Sequence, residues 1–99
     1  MNLNVSVAYG EDVDRVFTII DRVGRELAAD PQCGPLIISP PRALRVESMS
    51  EMGVAIKVLG DTQPVRQWEV TGELRRRLIR AFLEENVRVP FPPHVVAGA

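Results

Sequence analysis

Few of the 99 residues in this chain are of types that do chemistry. There is one cysteine, Cys33, and one histidine, His94. A single cysteine makes neither an internal disulfide nor a thiolate metal cage, and nothing in its use points to an oxidising compartment. A loop or core thiol is the reading that fits Cys33. His94 stands in a proline-rich stretch with no cysteine or serine partner to activate, so it reads as a solvated or interface residue. Arg75, Arg76, Arg77 and Arg80 form the one basic cluster. On a helical wheel Arg76, Arg77 and Arg80 share a face with Arg66, Glu69, Glu73 and Glu84. That mixed field suits a salt-bridged, solvated surface better than an anion site. The expectation is therefore no catalytic residue, no metal ligand set and no cofactor site.

Composition agrees with that expectation. Hydrophobic residues make up 45% and charged residues 25%, the balance of one globular domain with its own core. The formal net charge of −1 supplies no global field for a polyanion, so no nucleic-acid partner is expected. Lys57 is the only lysine among 12 basic residues, which reads as compositional bias. No apolar run approaches the ~20 residues of a membrane helix, and no secretory leader is visible, so these residues are expected to be soluble.

The elements that would carry these residues emerge from periodicity. "NLNVSVAY" alternates strictly, with Leu3, Val5 and Val7 on one face. The same period returns in "ALRVES", with Leu44 and Val46 on one side, in "GVAIKVL", with Val54, Ile56 and Val58, and briefly in "VRV", with Val87 and Val89. Between them "EDVDRVFTIIDRVGRELAA" places Val13, Val16, Phe17, Ile20, Val23 and Leu27 at helical steps. Its acidic start suits a helix N-terminus, Glu11–Arg15 and Asp21–Arg25 are i,i+4 pairs, and Asp30-Pro31 stops it. A second helix should open near "DTQP", with Asp61 or Thr62 as cap and Pro64 in the first turn, and run to Glu85. Asn86 then tolerates the left-handed conformation of a helix end. "DPQCGPLIISPPRA" reads as an ordered loop with a short extended piece at Leu36, Ile37 and Ile38.

The order strand, helix, strand, strand, helix, strand predicts an α+β chain with the ferredoxin-like βαββαβ two-layer sandwich. Residues 3–90 form the core and 91–99 an extended proline-rich tail, all within one domain, 1–99. Activities hosted by this fold make demands that fail here. Soft-metal transfer needs a Cys-x-x-Cys pair. RNA binding needs aromatic rings on the open face, where this chain has Asn4, Ser6, Ala55 and Lys57. Phosphate binding at the first turn would meet Glu11, Asp12 and Asp14. The second helix is less ordinary. Beside the stripe Gln67, Val70, Leu74, Leu78, Ala81 and Phe82, which should face the sheet, runs a second apolar row of Val65, Trp68, Gly72, Ile79 and Leu83. That row packs either on the first helix or on another subunit.

With this helix and the tail read together, the chain resembles the C-terminal cytoplasmic domain of the small-conductance mechanosensitive (MscS-like) ion channel family. The likeness is carried by "VSVAYGEDVDRVFTII", by "GVAIKV", and by "QWEVTGELRRRLIRAFLEENVRVPFPP", an aromatic-led basic helix ending in a Pro-aromatic-Pro signature. Its most specific part is Arg88-Val89-Pro90-Phe91-Pro92. Asn86 stands where the family often has Gly. The resemblance implies a non-catalytic cage and assembly domain at the cytoplasmic side of the cell membrane. Its partner would be itself, as a homo-oligomer, typically a heptamer. Transmembrane helices and a middle β domain would precede Leu3, and membrane contact would come only through them. The implied subunit interface takes in Trp68, Pro90, Phe91, Pro92, Val95 and Val96. The prolines hold the tail extended, and truncation after Val89 should leave the fold intact while weakening assembly. Alone, the domain is expected to be a monomer or weak oligomer. The alternative is a free-standing ferredoxin-like regulatory or ligand-binding module, using the polar sheet face or a dimer contact.

Overall fold

The computed structural model of the chain describes residues 1–90. Strand β1 spans Asn2–Val7, helix α1 Val13–Ala28, strand β2 Ile37–Ser50, strand β3 Gly53–Thr62 and helix α2 Gln67–Glu84. Single 3-10 turns at Gly34–Leu36 and Pro64–Arg66 lead into β2 and α2. The sheet has three antiparallel strands in the order β1-β3-β2. Both helices lie on its apolar face, giving the α+β two-layer arrangement.

β1 and β3 obey their alternation. Leu3, Val7, Val54, Ile56 and Val58 are buried, while Asn2, Asn4 and Ser6 face water. From α1 the core takes Val16, Ile19, Ile20, Val23 and Leu27, and from α2 Val70, Leu74, Leu78, Ala81 and Phe82. Val13 and Phe17 are half-buried. Asp12 caps α1 by accepting from the Arg15 amide at 3.3 Å. Of the two expected ion pairs on this helix, Glu11–Arg15 forms at 3.8 Å. Asp21 instead accepts from the Ala43 amide at 2.8 Å, fastening α1 to β2.

β2 departs from expectation. It begins at Ile37 and runs straight through Pro40 and Pro41, where the prolines predict a loop. An edge strand tolerates proline because one side of its backbone needs no partner, and bulges absorb the rest. The register against β3 slips four times along β2, first between Ile37 and Ser39 and again between Ser39 and Arg42. A further slip between Ala43 and Arg45 makes Leu44 the extra residue. Ala43 opposite Val58 and Val46 opposite Ile56 therefore share the helix face, rather than Leu44 with Val46. Pro41 is fully buried between two glycines: a Cβ at Gly24 of α1 would stand 1.8 Å from the Pro41 carbonyl oxygen, and one at Gly60 of β3 2.8 Å from its Cα.

The second helix starts later than its proline suggests. β3 extends to Thr62, Pro64 opens the 3-10 turn, and no side chain caps α2. Its far end matches expectation. Asn86 adopts φ of 58°, the Val87 amide donates to the Phe82 carbonyl at 2.8 Å and the Asn86 amide to Leu83 at 3.4 Å. That is the paired-bond helix stop with an apolar clasp, since Val87 and Phe82 are both buried.

The fourth expected strand does not form among the described residues. At Val87–Val89 only one backbone bond reaches the sheet, from the Ala8 amide to the Arg88 carbonyl at 2.9 Å. In an antiparallel pairing set by that bond, residues 90 and 92 are the next to turn their main-chain groups toward β1. Both are proline, which has no N–H to give.

Candidate subunit interface

The polar side chains of α2 pair largely with one another. Arg66 and Glu69 form a two-bonded pair at 2.8 and 2.6 Å. Glu73 accepts from both Arg76 and Arg77, and Arg77 reaches on to Asp30 at 2.5 Å. The arginine bonds hold Glu69 and Glu73 below the usual carboxylate range. For Asp30, the amides of Cys33 and Gln32 do so first, with Arg77 adding. The predicted salt-bridged face is thus present. Between α1 and α2 it borders a polar cleft of about 360 Å³ lined by Arg22, Glu26, Arg80, Glu84 and Glu85 among others. Cys33 is half-buried, and burial followed by the charges of Asp30 and Glu73 pushes its thiol up, away from reactivity. Among the described residues no group of His, Cys, Asp and Glu could hold a metal ion.

The apolar surface is more informative. Trp68 is 79% exposed, Ile79 62% and Leu83 74%, so the second row of α2 packs on neither α1 nor the sheet. Val65, in the turn before α2, is exposed with them. The stripe that does face the sheet differs from prediction at one end: Gln67 is exposed and Thr71 is buried in its place. A side chain the size of Trp68 in water is costly unless something covers it.

Ile79 also borders a second feature. A mostly apolar groove of about 230 Å³ runs between α2 and the outer edge of β1, lined by Leu3, Val5, Leu78, Ile79, Phe82 and Val89 with Arg75 at its rim. It occupies the place beside β1 where the periodicity predicts a fourth strand. Leu78 and Phe82, both buried, line it together with Val89. The groove escapes sequence reasoning because the alternation of Val87 and Val89 predicts a strand that would fill it. The spacing of Pro90 and Pro92 by two residues is the signal that could expose it.

Ion pairing fixes where the chain leaves the core. Glu11 is only 9% exposed and accepts from both the Arg88 amide at 3.1 Å and its Nε at 2.8 Å. The Arg88 side-chain bond, more than any other cause, holds Glu11 below the ordinary glutamate range. Arg15 donates to the Glu85 carbonyl from the same end of α1. Pro90 rests over the β2–β3 turn, its Cγ 3.2 Å from where a Cβ of Gly53 would be. Of the expected interface residues, Trp68 stands exposed on α2 and Pro90 is partly covered at the opposite end of the molecule. The structure does not bring these two together. Phe91, Pro92, Val95 and Val96, like His94, lie outside the described residues.

Comparison with known proteins gives this surface a context. Residues 1–89 match the family described as "Mechanosensitive ion channel MscS, C-terminal". The chain is also 26% identical over 90 residues to a protein named small-conductance mechanosensitive channel from Caldanaerobacter subterraneus subsp. tengcongensis. That alignment takes in 91% of this chain and 31% of the relative, so the chain spans less than a third of that protein's length. The chain belongs to the mechanosensitive channel C-terminal domain family, which is an ion-channel family and not an enzyme class.

Proposed function

We propose that these residues form the non-catalytic cage and assembly domain of a mechanosensitive channel, on the cytoplasmic side of the membrane and repeated around a homo-oligomer, heptameric in the whole protein. The carrying observation is that a family match over residues 1–89 coincides with exposed large apolar side chains along α2. Trp68, Ile79 and Leu83 lie along one helix, and the groove by β1 continues the same surface. No helix among the described residues is long and apolar enough to cross a membrane, so the ion path belongs to other segments of such a channel.

In this reading the sheet and α1 form a rigid wall, and α2 presents that wall's contact surface. Packed apolar side chains excluding water are what hold such contacts, with salt bridges such as Arg66–Glu69 on the rim adding register more than affinity.

The test is to fractionate the source cells and probe membrane and soluble fractions with antiserum raised against this domain. A band well above the mass of 99 residues, confined to the membrane fraction and shifted to multiples of itself by cross-linking, is the expected result. A soluble band at the mass of this chain overturns the reading in favour of a free-standing binding module.

A further inference from the structure

Most of the large apolar side chains left in water divide between two flanks of the molecule. The sheet order β1-β3-β2 puts β1 at one edge and β2 at the other. α2 lies toward the β1 edge, where Leu78, Ile79 and Phe82 line the groove with Leu3 and Val5. α1 lies over β2, with Asp21 bonded to the Ala43 amide and Gly24 set on Pro41. The α2 flank exposes Trp68, Ile79 and Leu83. The β2 flank exposes Ile38, Val46, Met49 and Met52, Met49 by as much as 68%. Val46 stands opposite Ile56 and Met49 opposite Val54, so both are on the helix face of the sheet, yet α1 leaves them exposed.

The two flanks match in height along the strands. Ile37 pairs with Thr62, and α2 begins soon after Thr62, so Ile38 and Trp68 lie toward the same end. At the other end Met49 is opposite Val54, Val54 is opposite Val7, and the Ala8 amide beyond Val7 meets Arg88 just past α2. Leu83 and Ile79 therefore stand level with Met49 and Val46. Charge matches as well. Arg75 and Arg80 flank Ile79 in α2, whereas Glu47 and Glu51 flank Met49 at the β2–β3 turn. Arg75, Arg80 and Glu51 make no ion pair among the described residues. The turn itself is braced. The Tyr9 hydroxyl donates to the Ser50 carbonyl at 2.6 Å, and the Met52 amide donates to the Ser50 Oγ at 3.1 Å. A surface held in this way loses little freedom on contact.

We infer that the β2 flank of one copy packs against the α2 flank of a second copy. Val46 and Met49 meet Ile79 and Leu83, Ile38 meets Trp68, and Glu47 and Glu51 face Arg75 and Arg80. A ring around one axis joins each copy to the next through two different surfaces, and two unlike apolar flanks on opposite sides of the fold are what such a contact requires. A two-fold contact of α2 with itself would leave the β2 flank in water and set the arginines of both copies against each other. This inference rests on the assembly reading above and deepens it by naming the two surfaces that meet.

The experiment uses the full chain with Cys33→Ser, so that introduced cysteines are the only thiols. One variant carries both Met49→Cys and Leu83→Cys, exposed positions whose substitution leaves the core untouched. The two sites belong to opposite edges of a three-stranded sheet, at least about 10 Å apart, so they cannot bridge within one copy, where a disulfide needs Cα atoms within about 7 Å. Oxidation with copper phenanthroline at about 1 mM, the order of concentration that neighbours experience within an oligomer, should give a ladder of multimers about tenfold faster than a control pairing Leu83→Cys with the exposed Gln32→Cys. Glu51→Arg should slow the ladder about threefold, and Arg75→Glu added to it should restore the rate. The absence of a ladder, a ladder no faster than the control, a rate indifferent to both charge changes, or dimers formed as readily by Leu83→Cys alone each overturns the proposal. Membrane fractionation of the source cells is untouched by any of these failures, so the assembly reading and the choice of surfaces fall separately.

Discussion

At the scale of the residue, a glycine and a proline meet where there is no room for a Cβ. Gly24 lets α1 lie directly on the Pro41 carbonyl, and a methyl group there would meet that oxygen at 1.8 Å. Backbone cannot step aside as a side chain does, so Gly24→Ala should cost about 1–3 kcal/mol in urea unfolding. Gly72 provides the contrast, because nothing lies within 4 Å of a Cβ built on it in exposed α2. Gly72→Ala should therefore stabilise by about 0.5–1 kcal/mol, through helix propensity alone. Equal effects of the two substitutions would mean that the α1–β2 contact is not what sets the cost at Gly24. Glu11 makes a different kind of contact, gripping Arg88 by both its amide and its guanidinium. A carboxylate whose folded pKa is depressed contributes stability that is complete above its unfolded value and is lost as pH falls through the folded one. Glu11, Asp30, Glu69 and Glu73 are all shifted downward, so their contributions are level above about pH 5 and decline progressively as the pH falls from about 4 through the lowered folded values. The Arg88 amide resonance should titrate with a midpoint below the ordinary glutamate value of about 4.3. A midpoint above it would show that Arg88 does not hold Glu11 in solution.

At the scale of the element, the end of α2 depends on Asn86 at φ 58°. Alanine there loses a residue type that tolerates the left-handed region, and Asn86→Ala should cost about 1 kcal/mol, with Asn86→Gly neutral or better. If both variants unfold at the same urea concentration as the parent, the helix stop is held by Val87 and Phe82 alone. This stop is legible in the sequence because asparagine past an amphipathic run is a local signal, and so are β1, α1 and β3, whose apolar faces repeat over several turns or pleats. β2 is not. Its four register slips scramble the alternation that reveals a strand, and Pro40-Pro41 reads locally as a loop, whereas Gly24 and Gly60 make room for it only in three dimensions. The misreading of Val87–Val89 has the opposite origin. Its local alternation is strand-like, but Pro90 and Pro92 forbid the bonds a ladder requires. For the contact surface, the second row of α2 is visible as periodicity, whereas its exposure depends on how far α1 reaches across α2. The groove becomes visible only once the fourth strand is absent.

At the scale of the whole molecule, the packing described for residues 1–90 closes on itself. Seventeen buried apolar residues from both helices, all three strands and Val87 form one cluster. Pro90, partly covered, rests its ring over Gly53 at the β2–β3 turn. The division between fold and assembly should therefore fall after Pro90, where the sequence reading places the boundary between core and tail. A chain ending at Pro90 should unfold within about 0.5 kcal/mol of the full chain, the range of changes that remove no buried contact. A chain ending at Val87 should lose more, because it gives up the Ala8–Arg88 bond and both contacts of Arg88 with Glu11. In the oligomer the order of effects reverses in kind. Removal of residues 91–99 should leave each wall intact but take away the expected interface residues Phe91, Pro92, Val95 and Val96, so cross-linked multimers of the whole protein should decline while the domain's own melting temperature holds. Loss of stability on truncation after Pro90 would instead place residues 91–99 against the core of their own chain.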